Sequence, residues 1–151
     1  MLVFGKVAEA QDDNFKALFM YNITNFIEWP AVENNFIIHV LGSAQVVTIF
    51  TTDAKLKGKK VAGIPIEIKE ISDANSIGNC QILYISETQG EQIETAVANI
   101  CDKPILIVTN SDGAIEKGAC INLYKQASGK LSMQISRKNI EKHGLQISKK
   151  E

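Results

Sequence analysis

Apolar residues recur every three or four positions near the start of the chain, and then in short alternating or unbroken runs. In FKALFMYNITNFIEWP, residues 15–30, Phe15, Leu18, Phe19, Ile23, Phe26 and Ile27 form one stripe, the spacing of an amphipathic helix. Asp12, Asp13 and Asn14 precede it and suit a helix N-terminus by capping and by charge. Pro30 predicts the stop, because the residue before a proline is pushed out of the helical region. Phe19, Ile23 and Phe26 are expected to face the core. Tyr21 and Trp29 lie off the stripe.

Downstream the pattern alternates between strand and helix. FIIHVLG (36–42) reads as a strand and SAQVVTIFTTDAKL (43–56) as a helix capped by Ser43. KGKK is a polar turn, and VAGIPIEIKEI (61–71) is extended. QILYIS (81–86) is a strand, GEQIETAVANI (90–100) a helix, and PILIVT (104–109) a short apolar strand covered on both faces. ACINLYKQ and KLSMQIS flank ASG as a hairpin. RKNIEKHG is a short helix stopped by Gly144, and LQIS follows. Strand–helix–strand alternation implies parallel pairing through right-handed crossovers. The expected fold is therefore α/β: a mixed, mostly parallel sheet with helices on both faces and a C-terminal antiparallel hairpin.

Composition adds limits. At 151 residues, 45% hydrophobic and 22% charged, the chain is one globular domain with a sizeable core. A net charge of −1 with a single arginine, Arg137, argues against nucleic acid and against an anionic membrane surface. The four lysines of KLKGKK read as a solvated turn. No run is long enough to insert into a membrane. Residues 1–11, MLVFGKVAEAQ, read as a signal-peptide remnant or a disordered leader, because AEA has the small-x-small pattern of a cleavage site. Residues 12–151 then form the single folded domain.

Candidate chemistry is sparse. There is no GxGxxG after the first strand, no GxxxxGK[ST] and no GxSxG. GAIEKG (113–118) has glycine spacing without the lysine and hydroxyl, and reads as a loop before a strand. His39 falls mid-strand, and His143 falls at a helix C-terminus, where a cation is favoured. No metal-ligand spacing and no cofactor motif is present, so neither metal nor cofactor is expected, and no catalytic residue is assigned. One place remains. In open α/β sheets ligands bind beyond the carboxyl ends of parallel strands, where Ser43, Ser86, Thr88, Asn110, Ser111 and Asp112 fall. These supply hydroxyls, an amide and helix N-termini, a set able to hold a small anion.

Several motifs in order resemble one family. Lys16, Phe19, Tyr21, Phe26, Trp29 and Pro30 match the N-terminal signature of the YfiR-like family, and Gly58, Lys59, Val61, Gly63 and Pro65 match its G-K-x-V-x-G-x-P entry into a strand. CQILYIS, PILIVTN, GACINL and the closing LSMQISRKNIEKHGLQIS follow in the same order. Met133 and Ser136 stand where the family usually has Phe and Asn, and Ser136 can cap the next helix as Asn would. The resemblance implies a non-catalytic exported regulator. Such proteins are periplasmic repressors that bind the extracytoplasmic domain of a membrane signalling protein such as a diguanylate cyclase, lowering cyclic-di-GMP synthesis. They can dimerise and respond to redox state through cysteines. A periplasmic small-molecule-binding domain is the alternative. Tyr21 and Trp29 are then candidates for a partner or dimer interface, with burial of Trp29 as a structural plug the other reading. Cys80 and Cys101 precede two strands expected to be parallel neighbours, a placement compatible with a disulfide in an oxidising compartment. Cys120 opens a different strand and is expected to stay free and buried.

Overall fold

The computed structural model describes residues 2–32 and 34–148, with side chains in the first helix described from Asp13 onward. Helix α1 (Leu2–Ile23) leads through a 3-10 turn (Thr24–Phe26) into β1 (Ile27–Glu28). Then come β2 (Phe36–Leu41), α2 (Ala44–Thr52), β3 (Lys60–Val61), β4 (Ile64–Ile71) and β5 (Ile82–Ile85). A 3-10 turn (Glu87–Gln92) enters α3 (Ile93–Ile100), followed by β6 (Leu106–Thr109), β7 (Ile121–Lys125), β8 (Leu131–Ile135), α4 (Arg137–Lys142) and β9 (Gln146–Ile147).

Seven strands form one sheet in the order β3-β4-β2-β5-β6-β7-β8, and β1 pairs with β9 separately. The pairs β4–β2, β2–β5, β5–β6 and β6–β7 are parallel, while the two edge pairs, β3–β4 and β7–β8, are antiparallel. The mixed, mostly parallel sheet with its late hairpin agrees with the alternation in the sequence. From β2 the chain crosses outward to β4, then returns to β5 on the other side of β2. Right-handed crossovers in opposite directions place α2 and α3 on opposite faces. α1 packs against α2. The strand order reverses between β2 and β5, which opens a crevice at their carboxyl ends. All of β5 and β6 is buried, as expected of strands covered on both faces.

Two local expectations need correcting. α1 ends at Ile23 rather than at Pro30, and its backbone runs back through residues 2–11. The buried positions along α1 and its exit are Ala17, Met20, Ile23, Thr24 and Ile27, a stripe offset from the expected one, and Phe19 is half-buried against the core. Phe15 is 57% exposed, and Phe26 is exposed rather than in the core. The extended stretch 61–71 is a hairpin: Ala62 and Gly63 both have positive φ, 51° and 81°, as a two-residue turn of the right twist requires. Three stops and starts are where the sequence puts them. Ser43 Oγ accepts from the Val46 N–H at 3.2 Å, Ser136 Oγ accepts from Asn139 at 3.1 Å, and Gly144 follows α4 at φ 76°.

Candidate functional site: a groove at the strand switch point

Ser43, Ser86, Thr88, Asn110, Ser111 and Asp112, chosen from sequence as strand-end residues, all line one open groove of about 1000 Å³. It sits over the carboxyl ends of β2, β5, β6 and β7. The residues reach it by different routes. Ser43 is held there as the cap of α2. Gly42, at φ 89°, turns the chain out of β2 so tightly that its carbonyl accepts from Ser86 Oγ at 3.0 Å and from Thr88 Oγ1 at 3.4 Å. The Ser86 and Thr88 hydroxyls also share a hydrogen bond of 2.9 Å. The β6 end is positioned by Asn122 on β7, which is buried. Its Oδ1 accepts from the Thr109 hydroxyl at 2.8 Å and the Ser111 N–H at 3.0 Å, and its amide donates to Gln134 at 3.1 Å.

Strand-end logic missed the wall supplied by α1. Asp13 and Lys16 line the groove and approach each other at 3.7 Å. With the Asn110 amide oriented so that both its atoms are satisfied, its nitrogen donates to the Leu123 carbonyl at 2.9 Å. Its oxygen then accepts from Lys16 Nζ at 2.7 Å. Lys16 thus ties α1 to the end of β6. Tyr84, 1% exposed, forms part of the lining. Burial, and then the negative charge of Asp13, push its phenol far above the ordinary tyrosine range, so it stays a neutral hydroxyl. Asp13, Glu87, Glu91 and Asp112 face Lys16 and Lys125 around the groove. Among the described residues the carboxylates of the lining outnumber its ammonium groups four to two, which disfavours the small anion expected from helix N-termini alone and favours a neutral or cationic ligand.

The remaining candidates lie elsewhere. Trp29 is half-buried, donates from Nε1 to the Thr24 carbonyl at 3.0 Å, and stacks edge-on against Phe36 at 5.0 Å. Tyr21 is half-buried, and its hydroxyl donates to the Lys60 carbonyl at 3.4 Å. Both are occupied in holding α1 and its exit turn to the sheet. All three cysteines are free thiols in the structure, so the Cys80–Cys101 bridge is not formed in it. Cys101 caps α3 at φ 58° and is exposed, while Cys80 is buried beside the His39 backbone. Burial pushes the Cys80 thiol up to about 12 and Cys120 to about 11, which suppresses thiolate chemistry at both. Thiol counting on denatured, unreduced protein is expected to give three, and a count of one would restore the bridge.

The histidines form no catalytic set. Both are buried with an unpartnered Nδ1. His143, expected as a cation at a helix end, is instead held below the ordinary value of 6.5, chiefly by burial. His39 is also lowered, by burial and then by Lys69, against an opposing effect of Glu67. Groups with depressed folded values bind fewer protons folded than unfolded, so their contribution is complete above pH 6.5 and is lost as pH falls below it. The urea midpoint is expected to fall between pH 7.5 and pH 5.5, and replacing both histidines with Leu should flatten that slope. An unchanged slope in the double variant would assign the loss to other groups. Among the described residues, no three His, Cys, Asp or Glu side chains cluster closely enough to hold a metal ion, and no helix is long and apolar enough to cross a membrane.

The sequence profile of the YfiR/HmsC-like family matches residues 13–150, almost the whole chain. This protein belongs to the YfiR/HmsC-like family. That family consists of periplasmic regulatory domains and is not known as a family of enzymes. The match begins at Asp13, which lines the groove. No curated protein matches the chain.

Proposed function

We propose that this protein is a non-catalytic, exported regulator that binds the extracytoplasmic domain of a membrane signalling protein, such as a diguanylate cyclase, and holds its output down. Family membership over residues 13–150 is the observation that carries this reading. The chemistry of the described residues agrees with it. Their histidines are buried and neutral, their buried thiols are protonated, and the Ser43, Ser86 and Thr88 hydroxyls hydrogen-bond to backbone or to each other rather than to a general base, while Ser111 Oγ has no hydrogen-bond partner. Affinity capture from envelope extract is expected to return a membrane sensor. Capture that returns none would count against the reading.

The groove supports a second reading, a small-ligand site in the same domain, because it gathers all six strand-end residues with Tyr84 and Lys16. A ligand that binds only the native state raises the melting temperature. Neutral or amine-bearing compounds, including cell-wall fragments, are expected to do so more than phosphate or sulfate. A shift with the anions alone would contradict the charge argument.

A further inference from the structure

We infer that the turn over residues 53–60, beside the β3 edge, is a basic contact that lies against an anionic phospholipid surface. The inference goes beyond the regulatory reading: it concerns where the protein rests, whichever sensor it binds.

The net charge of −1, which alone argues against such a surface, conceals an uneven distribution. The strands β4, β2, β5, β6 and β7 are parallel. The groove lies over carboxyl ends of this set, and the β3–β4 hairpin opens β4 at its amino end. The groove carries four carboxylates and two ammonium groups among the described residues. The turn that leads into β3 carries Lys55, Lys57, Lys59 and Lys60 against one carboxylate, Asp53. On β4, Glu67 accepts from Asn35 Nδ2 at 3.0 Å rather than pairing with one of these lysines. Negative charge is thereby gathered at one end of the strands and positive charge near the other.

The turn is an ordered structure that leaves its lysines exposed. Leu56, 3% exposed, anchors it in the core. The Lys57 and Lys59 N–H groups donate to the Asp53 and Leu56 carbonyls at 2.8 and 3.1 Å. Asp53 Oδ1 accepts from the Lys55 N–H at 2.8 Å, so that carboxylate is engaged with backbone. All four lysines are exposed, and among the described residues none of them forms an ion pair. The dipole of α2, which ends at Thr52, favours cations only within about a turn of its end, and so does not account for Lys59 and Lys60. An aromatic residue accompanies the cations. Tyr21 donates to the Lys60 carbonyl at 3.4 Å, which joins the end of α1 to the turn, and five residues on, Phe26 is 38% exposed. Lysines together with an exposed aromatic ring are the composition of a surface that rests at a lipid interface, and favour lipid over an acidic protein as the occupant.

Sedimentation of the whole protein with vesicles is the test. At about 0.1 M salt, vesicles of phosphatidylglycerol and phosphatidylcholine in equal parts should bind it, and vesicles of phosphatidylcholine alone should not. Salt at about 1 M should release it, since the screening length falls to about 3 Å. An exposed lysine near an anionic surface contributes about fivefold to affinity, so Lys59→Gln combined with Lys60→Gln should weaken binding about 25-fold. Lys130→Gln combined with Lys138→Gln removes the same charge at exposed positions on the β8 side of the sheet, and should change binding less than about twofold. Equal losses in the two double variants would make net charge, not the turn, responsible and would overturn the inference. So would the absence of binding to the mixed vesicles; retention on a polyglutamate resin in that case would assign the turn to an acidic protein instead. Capture of a sensor from detergent-solubilised envelope does not depend on the vesicle result, so the two readings fail separately.

Discussion

Replacing Gly42 with Ala should destabilise the protein by about 3 kcal/mol and lower its melting temperature by about 10 °C. An added Cβ would lie 2.4 Å from Gln89 Cγ and 2.6 Å from Ser86 Oγ, at φ 89°. The positive φ alone costs roughly 1–2 kcal/mol for a residue with a Cβ. The rest comes from displacing Ser86, whose hydroxyl bonds to the Gly42 carbonyl. Gly129 provides the control. Its φ is 91°, yet nothing lies within 4 Å of its Cβ position, so Gly129→Ala should show the conformational cost alone. Equal losses at both positions would mean that the close approach at the switch point contributes nothing.

Asn122→Leu should cost about 3 kcal/mol in urea unfolding. The leucine is close in volume, so the loss would be polar rather than steric. It would leave the buried Thr109 hydroxyl and the Ser111 N–H without the acceptor they share, and Gln134 without its donor. Because Ser111 sits on the groove rim, its amide should also exchange faster with solvent. Adding Thr109→Val should cost less than the sum of the single changes, since one partner of the pair is already gone. Additive losses would show that the network does not act as a unit.

These two positions mark the boundary of what the sequence makes legible. The alternation of short apolar runs and helical stretches carried the parallel sheet, and the strand-end rule carried six groove residues, because each follows from local order along the chain. Capping by Ser43 and Ser136 was legible for the same reason. Asn122 was not: it looks like one polar residue in ACINLYKQ, and its role appears only once β6, β7 and β8 lie side by side. Lys16 and Asp13 were hidden likewise, since nothing in the helical pattern says that α1 passes the end of β6. The stripe misled at Phe26 because helical periodicity was extended through a segment where the chain tightens to a 3-10 turn and then becomes a strand. The Ala62–Gly63 turn was overlooked because β3 is only two residues long, too short to show alternation.

The fold and the regulatory reading meet in one respect. The reversal of strand order places a polar groove beside α1, and Lys16 links that helix to the loop after β6. A group bound in the groove would touch both.

The central claim is that this chain acts by binding the outer domain of a membrane signalling protein. Isothermal titration of the purified protein into the purified extracytoplasmic domain of a sensor captured from the envelope tests it most directly. The account predicts saturable binding with a Kd of about 1 μM or tighter, a free energy near −8 kcal/mol. Absence of heat and of complex by gel filtration, at concentrations up to about 100-fold above that value, would contradict it.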